Sequence, residues 1–141
     1  MTAPESADLP VAAARTRLLI ADDEPLVRSM LTAQLSADFE VVGEAADAEE
    51  AIALAREHQP DAAIVDVEMP GGGGLHATRE IRDCSPGTAV LVLSSDESDA
   101  GVVSMLQAGA VSYYRKGLGA SALRSALDET IEAHAKLSAD R

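Results

Sequence analysis

The 141-residue sequence has no tryptophan, one phenylalanine and two tyrosines. Its core is therefore aliphatic and alanine-rich, and a hydrophobic content of 47% is enough to fill one domain. The single cysteine, Cys84, excludes a disulfide framework and a thiolate metal site, and it fits a reduced cytoplasmic protein. Basic residues are scarce. Eleven Lys and Arg face 24 Asp and Glu, leaving a formal charge of −13. That charge repels nucleic acid phosphates and anionic lipid, so neither direct nucleic acid binding nor membrane association is expected. No run approaches the ~18 apolar residues of a membrane span. Residues 1–16 carry Glu5 and Asp8 where a signal peptide would be basic, lack its apolar centre, and read as a disordered tail.

Beyond that tail, five short apolar runs alternate with amphipathic segments. Strands are expected over Leu18–Ala21, Glu40–Gly43, Ala62–Asp66, Ala89–Leu93 and Val111–Arg115. Helices are expected over Pro25–Ser36, Asp47–His58, Leu75–Arg82, about Glu97–Ala108 and Ala120–Leu137. The first would bury Val27, Met30, Leu31 and Leu35; the third, Leu75, Thr78 and Ile81. Pro25 suits a first helical turn, Asp47 with Glu50 suits an acidic capping box, and Gly109 suits a helix stop. Strict alternation with nearly continuous apolar strands predicts an α/β fold, a doubly wound parallel sheet covered on both faces. In such sheets ligands bind beyond the carboxyl ends of the strands.

Those ends carry the chemistry. The stretch LLIADDEP, from Leu18 to Pro25, runs straight from a buried strand into Asp22, Asp23 and Glu24. Like charges ~5 Å apart repel by about 3 kcal/mol at an effective dielectric of 20. The third strand ends in Asp66, followed by Glu68; the fourth in Ser94, Ser95 and Asp96; the fifth in Tyr113, Tyr114, Arg115 and Lys116. Clustered carboxylates call for a cation, and hard oxygen ligands without histidine or cysteine favour Mg²⁺ or Mn²⁺ over zinc. An ammonium and a hydroxyl beside such a cation suit in-line phosphoryl transfer, and a carboxylate could accept the phosphoryl group. Taken alone, each feature has a plainer reading: Asp22 and Asp23 as acids at a helix N-terminus, Asp66 as a turn residue, Ser94 as a strand-end hydroxyl, Lys116 as a surface lysine, Tyr113 as core. Convergence of four strand ends on one edge outweighs those readings. His58, His76 and His134 share no ligand spacing and are expected at the surface.

The pieces IADDEPLVR, IVDVEMPGGGGLHATREIR, VLVLSS and QAGAVSYYRKG stand in this order between about Arg17 and Leu137. In them the chain resembles the receiver domain of two-component response regulators, most of all those that precede a helix-turn-helix output domain. The resemblance implies a flavodoxin-like sheet of order 2-1-3-4-5 with five helices, a receiver over 17–137 and a short tail over 138–141. It implies Asp66 as phosphoacceptor, Asp23 as direct metal ligand, Asp22 as an acid acting largely through metal-bound water, and Glu68 as donor of a backbone carbonyl. Ser94 would bond the phosphoryl group, Lys116 would pair with it, and Tyr113 would be the aromatic switch. The implied cofactor is Mg²⁺. The implied partners are a sensor histidine kinase and an output domain or effector outside this chain, and a phosphorylation-dependent dimer is compatible with the resemblance. The implied role is regulatory, not enzymatic beyond self-catalysed phosphoryl acceptance and loss, with the fourth helix, fifth strand and fifth helix forming the responsive face.

Two departures stand out. Gly117 follows the lysine where family members often have proline, and the loop after Asp66 reads PGGGG. Glu68 and Asp96 occupy positions that tune phosphoryl lifetime in the family. Competing functions fit less well. A nucleotide or flavin domain would place glycines or hydroxyls after the first strand, not Asp-Asp-Glu. An aspartate-dependent phosphohydrolase would need a substrate cap, for which the chain has no length. A degenerate receiver acting as a phosphate-independent interaction module is the remaining alternative, although every expected polar group is present.

Overall fold

A computed structural model describes residues 15–95 and 99–139. The strands are β1 (Arg17–Ala21), β2 (Glu40–Ala45), β3 (Ala62–Asp66), β4 (Ala89–Ser94) and β5 (Ser112–Arg115). The helices are α1 (Pro25–Leu35), α2 (Ala48–His58), α3 (Gly73–Cys84), α4 (Asp99–Ala108) and α5 (Ala120–Ala139). All strand pairs are parallel, in the order β2-β1-β3-β4-β5. The expected doubly wound, flavodoxin-like sheet is the observed one.

Side-chain alternation along the strands divides the core in two. Leu19, Ala21, Ala63, Val65, Val90 and Val92 face α2, α3 and α4, whose Ala51, Ala55, Ile81 and Met105 pack on them. Leu18, Ile20, Ile64 and Leu91 face α1 and α5 through Leu31, Leu35, Leu123 and Leu127. Strands buried on both faces have no solvent side, which is why β3 and β4 read as unbroken apolar runs.

Several boundaries differ from expectation. β2 runs on past Gly43 to Ala45, because Glu44 and Ala45 stay paired with Ile20 and Ala21 of β1. α3 starts at Gly73, ahead of Leu75, and positive φ at Gly71, Gly72 and Gly73 itself turns the chain into it. Met30 is 52% exposed rather than buried, since it borders a groove between α1 and the loop after β5; Val27 and Leu75 are only half-buried. The expected start of the fourth helix at Glu97 lies outside the described residues.

The predicted ends behave as their chemistry requires. Asp47 Oδ1 accepts the Glu50 N–H at 2.8 Å, while Glu50 Oε1 accepts from Ala46 N–H, one residue before the position of the usual box. Gly109 ends α4 at φ 117°. Gln59 ends α2 in the left-handed region at φ 47°, where its side-chain amide donates to the carbonyls of Ala55, Arg56 and Cys84.

Candidate functional site

The sheet order brings the C-terminal ends of β1, β3, β4 and β5 side by side, and the expected residues meet there. Asp22 follows β1, and its N–H still donates to the Ala45 carbonyl at 3.0 Å in continuation of the ladder. Asp66 closes β3 and is paired with Leu93 of β4. Beyond β5, the Lys116 N–H donates to the Ser94 carbonyl at 2.8 Å, which carries the lysine side chain back over the sheet edge.

Lys116 Nζ lies 3.1 Å from Asp22 Oδ2, 3.3 Å from Asp66 Oδ2 and 3.6 Å from Glu24 Oε1. Asp22 and Asp66 are buried; Asp23 is exposed. The remaining oxygens of the buried pair are held by the backbone: Asp22 Oδ1 accepts from Glu24 N–H at 2.9 Å and Asp66 Oδ1 from Glu68 N–H at 3.3 Å. A cavity of about 230 Å³, lined by Asp23, Glu24, Asp66, Glu68, Ser95 and Lys116, opens the group to solvent.

Burial, followed by the charge of Asp22, pushes the Asp66 carboxyl up to about 6, against the opposing pull of Lys116 and the Glu68 N–H. Burial alone would lower Lys116, but its hydrogen bond to Asp22 and the charges of Asp66 and Asp22 outweigh that and raise it. The lysine is therefore a fixed cation across the neutral range.

Asp22, Asp23 and Asp66 each present an oxygen within 4.8 Å of the others. Three hard oxygen donors with no sulfur or imidazole among them fit Mg²⁺ or Mn²⁺, and two of them are buried against a single ammonium. Glu68 is exposed and lines the same cavity. Ser94 closes β4 and is buried, and its neighbour Ser95 is the serine that lines the cavity. Tyr113 is half-buried on the sheet face that carries α3 and α4, whereas its neighbour Tyr114 belongs to the other face. Asp96 lies outside the described residues. His58, His76 and His134 are half-buried rather than fully exposed, and each is occupied elsewhere: near Glu57, with Glu49 at 3.2 Å, and with the Pro86 carbonyl at 3.0 Å.

Two participants were not singled out from sequence. Glu24 is a third carboxylate on Lys116; its place in the run Asp-Asp-Glu was the available signal. Arg28 Nη1 donates to the Asp22 carbonyl at 2.7 Å. No local pattern signals that bond, because it depends on how α1 lies over β1.

The family model of the response regulator receiver domain matches residues 18–128. The chain belongs to this family. The receiver is 43% identical over 106 residues to the response regulator GacA of Pseudomonas aeruginosa, covering 73% of this chain and 49% of that protein. It is 37% identical over 123 residues to the transcriptional regulatory protein LiaR of Bacillus subtilis, covering 86% and 58%. Its structure resembles the NarL signal receiver domain from Mycobacterium tuberculosis at a TM-score of 0.80 and 32% identity, over 84% of this chain and 97% of that one. The chain spans about half the length of the first curated relatives it matches. It is a receiver of two-component signalling, a regulatory module. Among its described residues no helix is long and apolar enough to cross a membrane.

Proposed function

We propose that this receiver takes a phosphoryl group from a phosphohistidine donor onto Asp66 and thereby switches its α4–β5–α5 face. The observation that carries the reading is the contact of Lys116 with both buried carboxylates at the mouth of an open cavity. An Asp66 oxygen attacks phosphorus, the P–N bond of the donor breaks with its electron pair going to the imidazole, and an acyl phosphate remains. Mg²⁺, held by Asp22, Asp23, Asp66 and the Glu68 carbonyl, supplies positive charge to the phosphoryl oxygens when bound. Lys116 exchanges its contact with Asp66 for a phosphoryl oxygen, so the product carboxyl is left uncharged where burial already disfavours charge.

The hydroxyl of Ser94, a buried residue at the end of β4, donates to the phosphoryl group and draws the end of β4 inward. Tyr113 then turns further into its half-buried position, and α4 follows. The response is a population shift between two packings, and taking it from mostly off to mostly on requires about 5.5 kcal/mol of preference. The donor is a sensor histidine kinase in the cytoplasm. Relatives named as transcriptional regulators support an output outside this chain that acts on transcription.

Intact mass after incubation with acetyl phosphate, with and without Mg²⁺, tests the reading. One phosphoryl group is expected on the wild type with metal only, and none on Asp66→Asn. A wild type that never gains the group, yet binds Mg²⁺ and stays folded, overturns it.

A further inference from the structure

The structure assigns to Arg28 a positioning role: it holds the Asp22–Asp23 peptide from the β2 edge, so that Asp22 and Asp23 meet a divalent cation in one geometry. This inference rests on the reading of Asp22, Asp23 and Asp66 as a cation site.

β1 stops at Ala21 and β2 at Ala45. The Asp22 N–H still has a strand partner in the Ala45 carbonyl, but the Asp22 carbonyl lies beyond the ladder. Arg28, in the first turn of α1, supplies its donor at 2.7 Å. The Arg28 side chain is 20% exposed, and its guanidinium is fixed on its other side by Glu44, with Nε 3.5 Å from Oε1. The second Glu44 oxygen accepts the Thr32 hydroxyl at 2.9 Å. Asp22 is thus gripped at its N–H by Ala45, at its carbonyl by Arg28, which the adjacent Glu44 supports, and at its carboxylate by Lys116 and the Glu24 N–H.

The consequence falls on Asp23. Its side chain is exposed, so its direction depends on the plane of the peptide that precedes it. That plane contains the Asp22 carbonyl. Arg28 fixes it, and with it the approach of the Asp23 carboxylate to Asp22 and Asp66. An outer-shell group of this kind is typically worth about 10- to 100-fold in metal affinity.

Charge alone gives the opposite sign. Removing a guanidinium near a dication site strengthens cation binding by Coulomb's law, whereas losing the grip on the peptide weakens it. Calorimetric titration of the full chain with Mg²⁺ separates the two. Arg28→Ala is expected to weaken Mg²⁺ binding about tenfold. Arg28→Lys keeps the charge but has one ammonium for two acceptors, and is expected to fall between Ala and wild type. In the metal-free protein, the Glu24 amide, bonded to Asp22 Oδ1, is expected to exchange faster in Arg28→Ala. Circular dichroism establishes that each variant is folded. Equal or tighter Mg²⁺ binding by folded Arg28→Ala overturns the inference; if that variant does not fold, wild-type affinity in Arg28→Lys does the same. A wild type that fails to bind Mg²⁺ removes the cation reading itself and this inference with it.

Discussion

Lys116 Nζ stands closer to Asp22 than to Asp66, at 3.1 Å against 3.3 Å, although Asp66 is the carboxylate it is proposed to assist. The lysine therefore contacts both carboxylates at once, with a hold on the residue after β1 as well as on the end of β3. Anchoring of this kind lets it release Asp66 for a phosphoryl oxygen without leaving the site. Replacing Lys116 with Ala leaves two buried carboxylates without their cation, which is expected to destabilise the metal-free protein by about 3 kcal/mol. Saturating Mg²⁺ is expected to recover part of that loss. Urea unfolding with and without Mg²⁺ measures both, and an equal loss under the two conditions would separate the lysine from the carboxylate charge.

The raised Asp66 carboxyl makes a signed statement about pH. Its folded value of about 6 lies above its ordinary value of 3.8, so the protonated form favours the fold. The contribution is complete below about pH 4 and is lost as pH rises through about 6. It amounts to about 3 kcal/mol at most. Asp66→Asn, uncharged throughout, should gain on the wild type as pH rises from 4 to 8 in the presence of a chelator. Denaturant midpoints of the pair across that range check it; a gap that closes with rising pH would contradict the stated electrostatics.

Mg²⁺ should stabilise the wild type in proportion to occupancy, by about 1.4 kcal/mol at tenfold its Kd. Asp23→Asn should lose most of this effect and yet cost little stability without metal, because the side chain is exposed. Thermal melts at several Mg²⁺ concentrations distinguish a ligand from a surface acid: a full Mg²⁺ shift retained in Asp23→Asn would make Asp23 the latter.

Gly74 and Gly117 should respond very differently to alanine. A Cβ at Gly74 would meet the Asp66 carbonyl oxygen and lie 2.9 Å from Val67 Cα, both in backbone that cannot move without displacing Asp66. Gly74→Ala is expected to cost about 3 kcal/mol and to slow phosphoryl acceptance. Gly117 has φ 100° but open space around it, so alanine there carries only the conformational penalty of about 1 kcal/mol. Unfolding free energies of the two variants, taken together, test the close approach; similar costs would argue against it.

Local pattern determined much of this protein. Short apolar runs located the described strands, and the amphipathic segments between them located the helices. The parallel, doubly covered sheet followed from strands too apolar to have a wet face, such as β3 and β4. Polar residues placed directly after apolar runs identified Asp22, Asp66, Ser94 and Lys116, because strand ends in a parallel sheet share one edge. Tertiary structure decided what depends on packing between distant segments. Met30 is apolar and on the expected helical face, yet it borders an open groove that no periodicity reveals. Glu24 joined the site only through the placement of Lys116 after β5. The grip of Arg28 on Asp22, itself held by Glu44 from the neighbouring strand, requires α1 to lie against the sheet, a placement that the packing of Val27, Leu31 and Leu35 into the core fixes.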